Sequence, residues 1–275
     1  MKVITFLDRQ WMRYNPKKRA RLHESAQIPT HPLFLENQDI ALLWSAKSGC
    51  TLAVKWFFLQ RNELDKAQDY SSWIHDYRID VYRKSAEFEA GVHRAEHGKM
   101  RYIRFVRNPF SRAVSSYLHM VRTVGDDAFH QPFNTFLERD IEKGAGATFR
   151  EFVDFLSQVD VSQCDIHYRQ QAHALEVDNL IDVDNVVHLE DVDNELQSVT
   201  KYYGLKPASV DSLSSSSHNT TRSPSGIYFV GDTPHVRTDA DVYPDYRDFY
   251  DFDLVGSVAK IYAQDFDRYG YSTFL

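Results

Sequence analysis

The sequence predicts a three-layer α/β fold in which a central, mainly parallel sheet is flanked by helices. Two strand–turn–helix segments carry that prediction, and an apolar content of 43% supplies enough core for it. The first segment is Ile40–Arg61, IALLWSAKSGCTLAVKWFFLQR. Ile40 to Trp44 is a short, wholly apolar run, the pattern of a strand buried on both faces. Leu52–Gln60 is apolar on nearly every side, as a helix buried in such a core is. Between them lies Ser45–Thr51, SAKSGCT, small and hydroxylic around one lysine.

That arrangement turns backbone N–H groups and a helix N-terminus toward an anion. Lys47 adds a mobile positive charge, Ser48 and Thr51 add hydroxyl donors, and Gly49 permits close approach of the backbone. The loop departs from GxxxxGK[ST], because Lys47 precedes Gly49 instead of following a second glycine.

The second segment is Arg101–Val121, RYIRFVRNPFSRAVSSYLHMV. Tyr102–Val106 reads as a strand closed by Arg107. Asn108 suits an N-cap and Pro109 the first helical position, so a helix is expected from about Pro109 to about Arg122. Ser111 and Ser115 lie one turn apart on one face. Arg107 and Ser115 are expected to converge on one anion, through a charge-assisted fork and a short hydroxyl donor. In a parallel sheet both turns leave the same carboxyl edge, where ligands of open α/β folds bind. Two such turns suggest a ligand with two separated phosphates.

Residues 1–38 read as a polar N-terminal arm with a solvated basic cluster, Lys17, Lys18, Arg19 and Arg21, ahead of one domain over 39–275. Residues 62–100 read as helical and charged, with a packing stripe of Trp73, Ile74, Tyr77 and Val81. Gly125–Ala147 reads as an irregular excursion. Thr148–Glu151 is a capping box opening a helix to about Leu156. Asn185–Leu189 is a further strand, followed by Glu190 and a helix that Gly204 ends. Residues 208–226 are rich in Ser and Thr and read as a loop or as a lid over a nucleotide, with Arg222 on it. Tyr243–Tyr271 carries aromatics at helical spacing and is expected to pack onto the core.

A net charge of −7 disfavours nonspecific nucleic-acid binding, so any anion site must be a local cluster. Two cysteines without metal-ligand spacing predict neither a disulfide scaffold nor a metal site. No long apolar run suggests a signal peptide or membrane anchor, and a cytoplasmic, reducing location is expected.

With these motifs in order along the chain, the sequence resembles carbohydrate sulfotransferases of the chondroitin and HNK-1-type branch. SAKSGCT looks like their 5′-phosphosulfate loop and FVRNPFSRAVSSY like their 3′-phosphate segment. TFREFVDFL, DIHYRQQ, VDNVVHLEDVDNEL and IYAQDFDRYGY resemble further segments of that branch. Tyr168 and Gln170 depart from its His-Trp-x-Pro-Gln pattern.

The resemblance implies a P-loop-like fold over 39–275 as a single sulfotransferase domain. It implies the donor 3′-phosphoadenosine 5′-phosphosulfate (PAPS), no metal, and a hydroxyl acceptor, expected to be a glycan. Lys47, Ser48, Gly49, Cys50, Thr51, Arg107, Ser115 and Arg222 are the implied donor-binding residues. Lys47 would also act on the leaving oxygen. A histidine is suited to take the acceptor proton, and His93 leads on the resemblance, ahead of His167, with Glu96, His97 and Glu190 behind. A non-catalytic nucleotide-binding module and a kinase-like phosphotransferase are the alternative readings.

Overall fold

The computed structural model describes residues 15–98, 100–123, 127–141, 146–214, 221–222, 228–235 and 242–275. In chain order the helices are α1 (Pro16–Gln27), α2 (Cys50–Gln60), α3 (Leu64–Tyr70), α4 (Ile74–Asp80), α5 (Ala86–His97), α6 (Pro109–Arg122) and α7 (Asp127–Leu137). They continue with α8 (Phe149–Leu156), α9 (Ala174–Val177), α10 (Val192–Tyr203), α11 (Val210–Ser214), α12 (Phe252–Ile261) and α13 (Ala263–Tyr269). The strands are β1 (Leu33–Leu35), β2 (Ile40–Leu43), β3 (Arg101–Val106), β4 (Asn185–His188), β5 (Thr221–Arg222) and β6 (Val242–Tyr243). The chain divides into two compact units, residues 1–106 with 172–215, and residues 107–171 with 216–275.

The first unit holds the four-stranded sheet, in the order β1-β2-β3-β4. β1 is antiparallel to β2, and the β2–β3 and β3–β4 pairs are parallel. Leu43 lies opposite Arg104 and Val106 opposite His188, so β2, β3 and β4 all run out at one end of the sheet. Every residue of β2 is buried, as expected of a strand covered on both faces. The apolar run that announced α2 packs Trp56, Phe57 and Phe58 into a core with Phe34, Tyr82 and Phe105. Within the predicted packing stripe Ile74 and Tyr77 are buried, whereas Trp73 is exposed and lies against the His75 ring.

α1 falls within the stretch read as an arm. Asn15 caps it by accepting the Lys18 N–H, and Pro16 fills its first position. The basic cluster on it finds acidic partners. Lys17 and Arg21 reach Asp178 at 3.2 and 2.6 Å, and Arg19 reaches Glu96 at 3.8 Å.

The second unit is helical around an aromatic core of Phe110, Tyr117, Phe133, Phe149, Phe152, Tyr168, Tyr262 and Phe266. α6 begins and ends where its caps predict, with Asn108 Oδ1 accepting the Phe110 N–H. The Thr148–Glu151 capping box opens α8 as read. The stretch read as irregular contains α7, despite Pro132 inside it. Phe129, Phe133, Phe136 and Leu137 are spaced to face one side, and that burial outweighs the hydrogen bond the proline removes. Of the Ser/Thr-rich loop, Val210–Ser214 is a short helix in the first unit, and Thr221–Arg222 pairs in parallel with Val242–Tyr243 in the second. Residues 215–220 and 223–226 of the expected lid lie outside the described residues. Among the described residues, no helix is long and apolar enough to cross a membrane.

Two consequences of the first unit's packing are measurable. A methyl group at Gly91 on α5 would stand 2.5 Å from Phe34 Cγ on β1. Gly91→Ala should therefore destabilise by about 1–3 kcal/mol in denaturant titrations, although alanine favours helix. His31 is fully buried, and burial, reinforced by Arg78 and more weakly by Arg83 and His75, pushes its pKa down to about 3. Between that value and its ordinary 6.5 the unfolded chain holds a proton that native His31 does not. Stability should fall as pH drops through this window, by up to about 1.4 kcal/mol per unit, and His31→Gln should flatten the slope.

Candidate functional site

The loop after β2 is a tight turn closed by the Ser48 N–H donating to the Ser45 carbonyl at 3.3 Å. Lys47 takes a left-handed conformation, with φ at 64°. A lysine there is strained by about 1–3 kcal/mol, a cost that loops retain where the conformation serves a ligand. Gly49 is also left-handed, at φ 74°, and forms the N-cap of α2. A Cβ there would sit 2.8 Å from Leu189 Cδ1, in the turn that follows β4, so the leucine tip would have to shift, and the left-handed φ is what favours glycine. The Ser45 hydroxyl donates to Ser48 Oγ at 3.0 Å, and both serines are buried. Among the described residues no side chain caps α2, whose N-cap is Gly49, so its first amides, Cys50 and Thr51 among them, are open to a ligand or water. Lys47 is half-buried beside them. A left-handed turn, a helix N-terminus and a half-buried lysine are the features that phosphate-binding loops combine.

In the second unit Arg107 and Ser115 stand as the sequence suggests, on a turn and the helix it opens. Arg107 Nε donates to Ser111 Oγ at 2.9 Å, and Ser115 lies one turn further along the same face, half-buried. The Arg107 backbone is held by a residue that sequence reasoning did not single out. Gln171 Oε1 accepts the Arg107 N–H at 2.8 Å, and Gln171 Nε2 donates to the Arg107 carbonyl at 2.8 Å. The Gln171 N–H donates in turn to Asp265 Oδ2 at 2.8 Å, and both residues are buried. The signal was present, because Gln171 closes DIHYRQQ and Asp265 lies within IYAQDF.

The histidine candidates separate. His93 is exposed on α5, its ring stacked on that of His97 at 4.5 Å. Its neighbour Arg94 reaches Asp39, the residue before β2, at 4.0 Å. The Ser45–Thr51 loop leaves the opposite end of β2 from Asp39, and α5 delivers the chain to the amino end of the sheet. Glu96 and His97 share that position, and Glu96 is taken up by His23 at 2.5 Å. Glu190 instead follows Leu189, at the end where the loop lies.

His167, in the second unit, is half-buried, and its Nδ1 lies 2.7 Å from Asp165 Oδ1. The His167 N–H donates to the same oxygen at 2.9 Å. Burial opposes the charge on Asp165, but these bonds outweigh it and hold the carboxyl below its ordinary range. The carboxylate fixes the His167 proton on Nδ1 and leaves Nε2 as the basic atom. The buried Ser116 hydroxyl donates to the His167 carbonyl at 2.6 Å, and the His119 and Phe129 rings flank the imidazole at 4.4 and 5.2 Å. Arg222 is described only by its backbone, in β5. Among the described residues no cluster of His, Cys, Asp or Glu has the makings of a metal site.

A mostly parallel sheet flanked by helices, with the Ser45–Thr51 turn at its carboxyl end, defines a mixed α/β protein. A family model, described as the sulfotransferase family, matches residues 33–272, and the chain belongs to that family. It is accordingly a transferase of sulfuryl groups acting on an acceptor hydroxyl. No curated protein matches the chain. No solved structure matches it either.

Proposed function

We propose that the protein transfers the sulfuryl group of PAPS to a hydroxyl of a carbohydrate, through a P-loop-like donor site on residues 45–51. The observation that carries this reading is the strained Lys47–Gly49 turn at the uncapped head of α2, within a sulfotransferase chain. The residues suit the donor's chemistry. The amides of Gly49, Cys50 and Thr51 and the Ser48 hydroxyl would hold the 5′-phosphate. Arg107 and Ser115 would hold the 3′-phosphate, and Arg222 would close over the nucleotide. PAPS supplies an activated sulfur whose bond to the bridging phosphate oxygen breaks as the acceptor oxygen bonds to it.

The remaining work belongs to the chain. The Lys47 ammonium faces the negative charge that grows on the bridging oxygen, which is where a fixed cation contributes most to rate. His167 Nε2 takes the acceptor proton, and Asp165 steadies the imidazolium that results. Gln171 clamps the Arg107 backbone and so sets the register of everything bound to it. No metal is assigned a part in this account.

Lys47→Gly isolates charge from backbone. Glycine accepts the left-handed φ, so the variant should be as stable as the parent or up to about 1 kcal/mol more stable. Its kcat should drop by about a hundredfold or more, with PAPS affinity changed far less. Parental kcat in Lys47→Gly would remove Lys47 from the mechanism. Asp165→Asn should lower kcat by roughly tenfold or more at unchanged PAPS affinity, and His167→Ala by at least as much. If single-turnover transfer is unaffected in both, the base lies elsewhere. The overall reading is tested by mass spectrometry of a panel of glycans and glycosides incubated with PAPS, where a mass gain of one sulfuryl group is the expected result.

A further inference from the structure

Arg78, on α4, is a buried cation of the first unit that no acidic side chain meets among the described residues. It is 2% exposed. Its Nε donates to His75 Nδ1 at 3.0 Å, and its Nη1 donates to the Pro29 carbonyl at 2.5 Å. Nη1 also lies 3.3 Å from both ring nitrogens of His31, and the guanidinium carbon stands 4.8 Å over the Trp44 ring. Because arginine only donates, His75 must carry its proton on Nε2. His31 is held neutral by its burial. The cage is therefore two neutral imidazoles, a carbonyl and an indole face. Among the described residues no carboxylate pairs with Arg78 and no hydrogen bond reaches its Nη2.

Buried guanidinium groups are ordinarily paired, since an uncompensated one loses its hydration for nothing in return. Burial lowers the pKa of Arg78 to about 10, and the group that counteracts this most is the thiol of Cys50. Cys50 is the first residue of α2, and Trp44 immediately precedes the anion loop. The uncompensated charge thus stands behind the turn and helix end that the donor reading assigns to a phosphosulfate.

We propose that Arg78 is an oxyanion-binding residue of the loop site, contributing its guanidinium to a sulfonate or sulfate group held at the head of α2. This rests on the proposed function for the identity of the ligand, but the recognised chemistry is the same for either source. The source is the sulfonate of the donor, or a sulfate already on the acceptor. The cage orients the guanidinium by cation–π contact and neutral acceptors, which leaves its charge available to the ligand.

Arginine side-chain NMR tests this directly. The Nε–H resonance of Arg78 in the full chain is assigned from its absence in Arg78→Lys. It should shift when inorganic sulfate is added, and again when sulfate is added to protein saturated with adenosine 3′,5′-bisphosphate. Isothermal titration then identifies the source. If the donor sulfonate is bound, Arg78→Met should reduce the preference for PAPS over the bisphosphate by about tenfold or more. If an acceptor sulfate is bound, that preference stays and the KM of a sulfated acceptor rises about tenfold relative to its unsulfated counterpart. Arg78→Met should melt at or above the parent without ligand, as expected when a caged charge gives way to an apolar chain. Where Arg78→Met does not fold, Arg78→Lys should show both losses to a smaller degree.

An Arg78 resonance unmoved by sulfate, PAPS and sulfated acceptor alike would overturn the proposal. A resonance that moves with sulfate in protein that binds neither PAPS nor the bisphosphate would support the oxyanion site and overturn the donor reading instead.

Discussion

The closeness of Gly49 to Leu189 is the constraint on which the first unit's site depends. Leu189 comes off the end of β4, two strands from β2, and presses where any side chain on residue 49 would have to go. The chain enters α2 directly with left-handed residues at 47 and 49. The turn is carried on a wholly buried β2 and on a helix whose aromatic side chains are packed in the core. Backbone amides at the head of α2 are thereby fixed before any ligand arrives. Preorganised dipoles of this kind cost little reorganisation when charge develops near them.

The second unit solves a comparable problem with polar contacts. Arg107 begins the turn, Gln171 clasps its backbone on both sides, and Asp265 holds Gln171. Tyr262 adds a parallel tie, its hydroxyl donating to the Tyr168 carbonyl at 2.7 Å. Three stretches far apart in the chain are joined by buried bonds whose loss would leave unsatisfied groups in an aromatic core. These bonds tie the RNP, HYRQQ and YAQDF segments of this chain into one unit. Each supplies a part that is useless, and costly to bury, without the other two.

Local signals were the legible part of this chain. The all-apolar Ile40–Leu43, the Asn108–Pro109 start, the Thr148–Glu151 box and the Gly204 stop each act within a few residues, and each element forms where they indicate. What depends on tertiary position was not legible. Direction along α5, for instance, decides which end of the sheet its histidines reach. Gln171 and Asp265 are ordinary polar residues until folding makes them neighbours. α7 was hidden by Pro132 and flanking glycines, whose local penalties a row of four buried or half-buried apolar residues overrides. Burial of Arg78 away from any described counter-charge is likewise a property of the fold alone.

The charge distribution gives these local devices a common logic. With a net charge of −7 the molecule as a whole repels anions, so its long-range field does not gather them. Attraction must come from cations acting over a few ångströms in partly dehydrated surroundings. There a pair about 4 Å apart interacts with about 4 kcal/mol, against about 1 kcal/mol in bulk water. Lys47 half-buried at its turn, Arg107 fastened through Ser111 and Arg78 caged behind Trp44 all meet that condition. Such a surface turns away extended polyanions, which need many exposed cations at once. It accepts instead a compact anion able to enter and touch a few fixed groups, which is what a small activated donor is.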